Sequence, residues 1–415
     1  MQNLAVSSLS PENYPFSLDF LPQPVYLVGG AVRDAILGRK REYLDLDFIL
    51  PENAVSTARK IAAHYKAGFV LLDRERQIAR IVFPKVTVDI AQQEGDNLET
   101  DLRRRDFTVN AIAFNPYSQE IIDPLQGYAD LNARTLRMIS QQNLEDDPLR
   151  LLRGYRQAAQ LQFEIENHTL YTIRTLAPQL SRISAERVRT ELGYMLVNSQ
   201  GTPWIVKAVE DKLLTPFFKN ITDAGCRCLI KIDDAASKLS EKWHQLGVQL
   251  NERVRNTIKT TWLGIAKLAC MVSSDLETAE AELNALTYSR AEIKSVITVL
   301  RLYTQLQKQQ MSLREQYFLF QEAGIVFPAT CVMAIAHDIL VEGIAPIISH
   351  YLNPDDPVAH PTPLLSGKEI IIALNIPSSP LVGRLLTEIA IAQVEGKVLT
   401  RDDAIEYARH LMRYM

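Results

Sequence analysis

The stretch over residues 25–50 constrains the fold of this chain more than any other. An apolar run at its start predicts a short strand, which leads into the paired glycines Gly29 and Gly30. A helical turn and a basic loop at residues 39–41 follow, and a second predicted strand then carries the sequence LDLDFIL. This order of strand, diglycine turn, helix and strand predicts a mixed α/β unit at the start of the chain.

The second predicted strand places two carboxylates side by side. Because successive side chains of a strand point to opposite faces, Asp45 and Asp47 share one face. Such a pair is unfavourable without a cation, and its oxygens suit Mg²⁺, which usually takes one or two carboxylates plus substrate phosphates. The glycines let backbone N–H groups approach a phosphate. Together these features predict a metal-dependent nucleotidyl-transfer site, although a solvated strand edge and a common tight turn would explain them separately.

A third carboxylate lies on a later predicted strand. The run over residues 86–90 alternates so that Asp89 could join Asp45 and Asp47 from an adjacent strand. We therefore include Asp89 among the catalytic candidates, with a solvated aspartate at a strand end as the equal alternative.

Three consecutive arginines, residues 103–105, are followed by Asp106 and an apolar run. Arginine suits phosphate because its planar fork binds two oxygens at once. Asp106 could accept a hydrogen bond from a ribose hydroxyl. The alternative is an amphipathic helix with a solvated basic face.

From about residue 143 the apolar pattern becomes helical and remains so to the end of the chain. Asp147 and Arg150 lie three apart at a predicted helix start, followed by Arg153 and Arg156 on one basic ridge. Cytosine and adenine present an amine donor beside a ring-nitrogen acceptor, whereas guanine and uracil present the reverse. An Asp–Arg pair could therefore accept C and A and refuse G and U, or Asp146 or Asp147 could simply cap the helix.

Composition narrows the class of protein. The chain has 415 residues, 47% of them hydrophobic, and a net charge of −4, which argues against broad nonspecific nucleic-acid binding but allows a local basic track. Of the four cysteines, Cys226 and Cys228 lack a second pair, which favours buried thiols in a reducing compartment over a zinc site. No signal-peptide pattern and no run of about 18 apolar residues is present, so we expect a cytoplasmic protein without a membrane span.

Five ordered motifs resemble those of the class II (bacterial-type) tRNA nucleotidyltransferases and bacterial poly(A) polymerases. They are GGAVRD with DLD, RRRDFTVNAIAF, DPLQGYADL, DDPLRLLRGYR and ISAERVRTEL, and the tail LLSGKEIIIALNIPSSPLVGRLL is also similar. The resemblance implies an α+β fold, with a polymerase-β-like nucleotidyltransferase head followed by an all-α neck, body and tail. We expect these parts at residues 1–140, 141–200, 201–345 and 346–415, the neck for base recognition and the tail for tRNA binding.

The resemblance also implies roles for individual residues, with Mg²⁺ as the cofactor. The implied set is Asp45 and Asp47 as Mg²⁺ ligands; Gly29, Gly30 and Arg33 near the triphosphate; Arg105, Asp106 and Asn110 at the sugar and phosphates; and Asp147, Arg150, Arg153 and Arg156 at the base. One departure is that the base-reading motif opens with Asp146 and Asp147, where the family usually has Glu-Asp.

The implied activity is template-independent transfer of CMP, with AMP as an open second case, from CTP or ATP to the 3′ end of tRNA. The segment QQEGDNLET, ahead of Asp101, is shorter than the flexible loop that CCA-adding relatives often carry for the switch from C to A. Its shortness favours a CC-adding enzyme. The alternatives are a poly(A) polymerase or A-adding enzyme of the same family and, from another class, a non-catalytic RNA-binding protein.

Overall fold

A computed structural model describes residues 9–39, 43–255, 259–308 and 310–413, so Lys40 and Arg41 of the predicted basic loop lie outside it. The chain divides into two compact units. The first comprises Met1–Glu191 with Lys207–Pro216, and the second comprises Leu192–Val206 with Phe217–Met415. The predicted division into head, neck, body and tail is finer than this and stays a prediction.

The first unit is built on a mixed sheet. The strands are β1 (Tyr26–Val28), β2 (Leu44–Leu50), β3 (Gly68–Asp73), β4 (Ile78–Val82), β5 (Val86–Gln92), β6 (Ala113–Asn115), β7 (Glu120–Ile122), β8 (Thr135–Leu136) and β9 (Glu164–Ile165). Within the described residues, seven of them form one sheet in the order β3-β4-β5-β2-β1-β6-β7, and β8 pairs with β9 separately. Only β2 and β5 run parallel in the large sheet, which places the ends of these two central strands side by side.

Strand β2 has a different environment on each face. Leu46, Phe48 and Leu50 alternate with the aspartates and are buried. Phe48 packs edge-on against Tyr14 and Phe16 of the segment before β1, with ring centroids 5.3 and 6.0 Å apart. This buried face fixes the register of β2, because a slip by one residue would turn the aspartates into the core.

Helices complete the first unit. They are α1 (Gly30–Ile36), α2 (Ala54–Tyr65), α3 (Leu98–Arg103), α4 (Gly127–Asn132), α5 (Gln141–Asp146), α6 (Leu149–Leu161), α7 (Asn167–Leu176) and the start of α8 (Ala185–Leu196). Side chains cap several of them: Asn97 accepts from the Thr100 N–H at the start of α3, and Ser140 accepts from the Asn143 N–H at the start of α5. In α6 the apolar positions face the core, and Tyr155 is fully buried.

The second unit is helical. Its helices after α8 are α9 (Thr202–Glu210, shared with the first unit), α10 (Asp223–Lys242), α11 (His244–Asn251), α12 (Trp262–Met271), α13 (Leu276–Ala285), α14 (Arg290–Leu302), α15 (Leu313–Ala323), α16 (Phe327–Ala336), α17 (Val341–Leu352), α18 (Gly367–Leu374), α19 (Pro380–Val394) and α20 (Arg401–Met412). Every residue of α12 and α16 is buried, so these two helices form the centre of the unit. The last three helices enclose a small core of their own around Leu385, Ile389 and Ala404.

One helical stretch of the described residues, Leu313–Ala336, is long and apolar enough by length and composition to cross a membrane. Because 67% of its most apolar window is buried inside the protein, it resembles the core helix of a globular protein and is weak evidence for a span. The four cysteines are free thiols, and three of them, Cys228, Cys270 and Cys331, are buried.

Candidate active site

The register between β2 and β5 brings the three predicted carboxylates together. Asp47 lies opposite Asp89, and Asp45 lies opposite Thr87. Because paired residues of neighbouring strands point to the same face, Asp45, Asp47 and Asp89 lie on one face of the sheet. The Thr87 hydroxyl donates a hydrogen bond to Asp45 at 2.5 Å.

The pKa of the Asp47 carboxyl on this face is strongly shifted. Burial, together with the negative charges of Asp45 and Asp89, raises the pKa of its carboxyl to about 7, against the opposing effect of Arg105 and Arg80. No hydrogen bond reaches this carboxylate from any residue that the structure describes. A nearby cation would strongly stabilise the ionised form of such a carboxyl group.

The diglycine turn lies directly beside Asp47. Gly29 has a φ of +74°, and a Cβ built on it would lie 3.3 Å from Asp47 Oδ2 and 3.5 Å from Arg105 Nη1. Glycine suits this position for two reasons: it adopts a positive φ without strain, and without a Cβ it leaves room for the two side chains. The turn therefore keeps a carboxylate and a guanidinium within a few ångströms of the first residues of α1.

The donor set fits a magnesium ion. Asp45 and Asp47 supply carboxylate oxygens on one face, and Mg²⁺ usually takes only one or two carboxylates when substrate phosphates complete its shell. Across the described residues, no group of three or more His, Cys, Asp or Glu side chains is placed to hold one metal ion. An ion bound here would thus be held by two carboxylates rather than by a closed cage of protein ligands.

Arg33 and Asn110 belong to a buried hydrogen-bond network. The Arg33 side chain is held by Asp34, with Nε to Oδ1 at 2.9 Å, and donates from Nη1 to Asn110 Oδ1 at 2.6 Å. Asn110 donates in turn to Asp106 and to Gln157, both at 2.8 Å. The network therefore joins α1 to the arginine motif and to α6.

Asp106 is the centre of that network. Its oxygens accept hydrogen bonds from the Phe107 N–H, Asn110, Gln157 and Arg153, and Arg153 Nη2 lies 2.8 Å from Oδ2. Burial alone would raise the pKa of Asp106, but Arg153 and these hydrogen bonds outweigh it and hold the pKa well below its usual range. In this structure the acceptor positions predicted for a ribose hydroxyl are taken by the chain's own donors.

The basic ridge of α6 is anchored by partners on neighbouring elements. Glu191 on α8 binds Arg156 at 2.5 Å and approaches Arg153 Nη1 at 3.8 Å. Arg150 donates from Nη1 to the carbonyl oxygens of Arg104 and Asn143, at 2.8 and 3.0 Å. None of the three arginines is therefore a freely solvated side chain.

Asp147 lies immediately before α6 with its carboxylate half-buried. Its Oδ2 pairs with Arg187 of α8 at 2.9 Å, and its Oδ1 accepts from the Leu149 N–H at 3.3 Å. Asp147 therefore accepts a hydrogen bond from the first residue of α6 and is braced by α8. Its role in reading the base stays a prediction. Asp147 and Arg150 remain at the same end of α6.

Four residues contact predicted site residues through hydrogen bonds or ion pairs but were not themselves predicted: Arg80, Gln157, Asn143 and Glu191. Asn143 donates to the carbonyl oxygens of Arg103 and Arg105, both at 2.7 Å, and so fixes the arginine motif against α5. Gln157 is buried, but in the run RQAAQL no signal in the sequence distinguishes it from the exposed Gln160. The partners of the others depend on contacts between distant parts of the chain.

The connection from β5 to α3 is short and tied down. The Glu94 N–H donates to Asp101 at 2.9 Å, Glu94 pairs with Arg104 at 3.2 Å, and the Gln93 N–H donates to the Leu50 carbonyl at 2.7 Å. Gly95 has a φ of +83° and lies against Thr100. These contacts hold the connection against the sheet and α3.

Comparison with known proteins agrees with this architecture. Residues 25–137 match the family described as Poly A polymerase head domain, residues 162–224 match Probable RNA and SrmB-binding site of polymerase A, and residues 256–408 match tRNA nucleotidyltransferase domain 2. A CC-adding tRNA nucleotidyltransferase of Synechocystis sp. is 45% identical over 404 residues, which cover 96% of each chain. Another of Geobacter sulfurreducens is 30% identical, covering 92% of this chain and 90% of its own.

A solved complex of a CCA-adding enzyme with CTP has the same fold, with a TM-score of 0.72 at 22% identity over 99% of this chain and 95% of that one. Fold and site together define a nucleotidyltransferase with an α+β head followed by helical domains. The chain belongs to the bacterial-type tRNA nucleotidyltransferase and poly(A) polymerase family. The predicted family, fold class and assignment as an enzyme are confirmed.

Proposed function

We propose that this protein adds two cytidine residues to the 3′ end of a tRNA that lacks its CCA terminus, using CTP and Mg²⁺. In each cycle the 3′-hydroxyl oxygen of the RNA bonds to the α-phosphorus of CTP, the bond to the β-phosphate breaks, and pyrophosphate leaves. The single observation that carries this proposal is the pair of carboxylates on β2, Asp45 and Asp47, beside the Gly29 turn and Arg105.

Asp45 and Asp47 would hold the divalent ions. When bound, such ions activate the attacking hydroxyl and offset charge on the leaving group, a task of electrostatics and positioning. The residues of the chain contribute the orientation: Gly29 leaves space for the triphosphate, and Arg105 adds a positive charge at the same place.

Selection of the nucleotide is assigned to the start of α6. The Asp147 carboxylate would accept from the exocyclic amine of cytosine, and the Arg150 guanidinium would donate to its ring nitrogen. The Asp147–Arg187 pair and the two carbonyl contacts of Arg150 support this role, because they fix both side chains without a nucleic-acid template. Adenine presents the same pattern, so this pair alone does not separate CTP from ATP.

Addition that stops after CC is favoured by the connection between β5 and α3. Family resemblance associates the C-to-A switch with a longer flexible loop there, whereas this chain has a short connection held by Asp101 and Arg104. The relatives from Synechocystis and Geobacter, both named CC-adding enzymes, support the same choice. A separate A-adding enzyme would then complete the CCA end.

The test is incorporation of each labelled nucleotide into tRNAs ending before CCA, after C and after CC. We expect two additions from CTP and none from ATP on the CC-ended tRNA. Addition of A to that tRNA would indicate a CCA- or A-adding enzyme, and long A tracts on unrelated RNA would indicate a poly(A) polymerase.

The variant Asp45→Ala tests the proposed catalytic role of this carboxylate. We expect it to abolish incorporation and to leave tRNA binding unchanged in a gel-shift assay. Full incorporation by this variant would refute the metal assignment, and RNA binding without incorporation by the wild type would indicate a non-catalytic RNA-binding protein. A cytoplasmic location and tRNA contacts by the tail remain part of the proposal, and fractionation and crosslinking would test them.

A further inference from the structure

Arg80 on β4 lies in the same cross-strand row as two of the carboxylates. Asp47 lies opposite Asp89 in the parallel pairing of β2 and β5, and Asp89 lies opposite Arg80 in the antiparallel pairing of β5 and β4. All three side chains therefore point to one face. Arg80 is the outermost of the three.

Arg80 occupies both oxygens of Asp89. Its Nε lies 2.7 Å from Oδ1 and its Nη2 lies 2.8 Å from Oδ2. This is the bidentate fork geometry, the strongest arrangement of an arginine and a carboxylate. The Asp89 side chain is only 17% exposed, so few of its lone pairs remain accessible to another ligand.

Asp45 and Asp47 differ from Asp89 in this respect. Asp45 accepts one hydrogen bond from a neutral hydroxyl, and Asp47 accepts none from the described residues. Among the residues that the structure describes, Asp89 is the only one of the three carboxylates with an opposite charge at hydrogen-bond distance.

We propose that Arg80 is a positioning residue that removes Asp89 from the ion-binding set. The Arg80–Asp89 pair keeps the third carboxylate beside Asp47 as a neutralised support and leaves Asp45 and Asp47 as the protein ligands. This inference rests on the proposed function, since it concerns the ions of the same site. It assigns Asp89, a catalytic candidate by sequence, a structural role in place of a ligand role.

The experiment measures Mn²⁺ binding by electron paramagnetic resonance, without nucleotide or turnover, in a double-mutant cycle. Asp89→Asn alone should weaken binding about three- to tenfold, because it leaves the positive charge of Arg80 unbalanced beside the site. Arg80→Gln alone should strengthen binding by a similar factor. The neutral pair Arg80→Gln/Asp89→Asn should return to within about twofold of the wild type, since neither ligand nor net charge has changed.

The double variant decides the question. If Asp89 is a ligand, that variant will bind Mn²⁺ as weakly as Asp89→Asn or more weakly, and the inference is overturned. Asp47→Asn reports separately on the proposed function: it should lose at least about tenfold in affinity. If Asp47→Asn bound Mn²⁺ with wild-type affinity, Asp47 would not be a ligand. Both the proposed metal site and this inference would then be refuted.

Two further variants keep the result interpretable. Arg74→Met removes an exposed arginine from the turn that joins β3 to β4 and should leave Mn²⁺ affinity unchanged. If the neutral pair fails to fold, as judged by its thermal unfolding, the apolar pair Arg80→Met/Asp89→Leu takes its place with the same expected affinity.

Discussion

Asp106 and Arg153 form an ion pair in which Oδ2 of the aspartate lies 2.8 Å from Nη2 of the arginine. Asp106 lies in the loop before β6, whereas Arg153 lies on α6, 47 residues later. The pair ties the segment that carries Arg105 to α6, the helix at whose start Asp147 and Arg150 lie. Several measurable consequences arise from this pair and from the carboxylates of β2.

Breaking the pair should destabilise the protein. We expect Asp106→Asn to lower the free energy of unfolding by about 3 kcal/mol, because it removes the buried charge that pairs with Arg153 and leaves Glu191, 3.8 Å away, as the nearest carboxylate. Urea denaturation at pH 7 would measure it. Since the folded-state pKa of Asp106 is lowered, its contribution is present above about pH 4 and is lost as the pH falls further.

A double-mutant cycle provides the control. Arg153→Met should cost a similar amount, and the double variant should cost much less than the sum of the two. Additive losses would show that the two residues stabilise the protein independently.

Binding of divalent ions should depend on pH through Asp47. Because the pKa of this carboxyl is raised to about 7, the ion must displace a proton below that pH. We expect Mg²⁺ affinity at pH 6 to be about tenfold weaker than at pH 8, with one proton released per ion bound at the lower pH. Calorimetry in two buffers of different ionisation enthalpy would measure both quantities, and equal affinity at the two pH values would contradict the assignment.

The same carboxyl should destabilise the ion-free protein at neutral pH. Its folded pKa of about 7 lies above the ordinary value of 3.8, so the folded state binds the proton more tightly and stability falls as the pH rises from about 4 to 7. Asp47→Asn should therefore raise the unfolding free energy at pH 8 by on the order of 3 kcal/mol and have little effect at pH 4. Urea denaturation in the presence of EDTA would measure both values. A gain of equal size at both pH values would point to packing instead of charge.

Arg187 should influence nucleotide choice without contacting the nucleotide. Arg187→Ala removes the brace on Asp147 at 2.9 Å, so we expect discrimination of CTP against UTP to fall by about fivefold to tenfold. Arg150→Ala should reduce discrimination more strongly. Competition kinetics with both nucleotides would measure these ratios.

Arg182→Ala is the matched control, because among the described residues the side chain of this exposed arginine has one polar contact, with Gln179 at 3.5 Å. It should leave discrimination unchanged. Wild-type discrimination in Arg187→Ala would show that Asp147 needs no brace.

Gly29→Ala should impair catalysis more than folding. The new methyl group would lie 3.3 Å from Asp47 and 3.5 Å from Arg105, and the backbone has a φ of +74°. We expect a loss of about 1–3 kcal/mol in stability and a fall in kcat/KM of at least about a hundredfold. Steady-state kinetics and thermal unfolding would measure the two effects.

Gly38→Ala distinguishes the steric effect of the new methyl group from the effect of backbone strain. Gly38 also has a positive φ, +68°, but a Cβ built there meets nothing within 4 Å. It should lose similar stability and keep its activity. Equal losses of activity in both variants would assign the effect to backbone strain.

The sequence by itself determined the local elements and the residues able to carry the chemistry. The alternation in LDLDFIL placed Asp45 and Asp47 on one face of a strand, the change to a helical pattern indicated that the later part of the chain is mostly helical, and five ordered motifs indicated the family. These features could be predicted because they depend on residues that are close in sequence. Over such distances, strand and helix periodicity decide which side chains share a face.

Only the tertiary structure decided the partners of these residues. The parallel register of β2 and β5 set Asp89 against Asp47, and the neighbouring β4 brought Arg80 to the same carboxylate. The closure of Arg153 on Asp106 likewise joins positions 47 residues apart. Such pairings depend on strand order and helix packing, which a single sequence does not specify. They determine whether an acidic side chain is a ligand, a support or a cap.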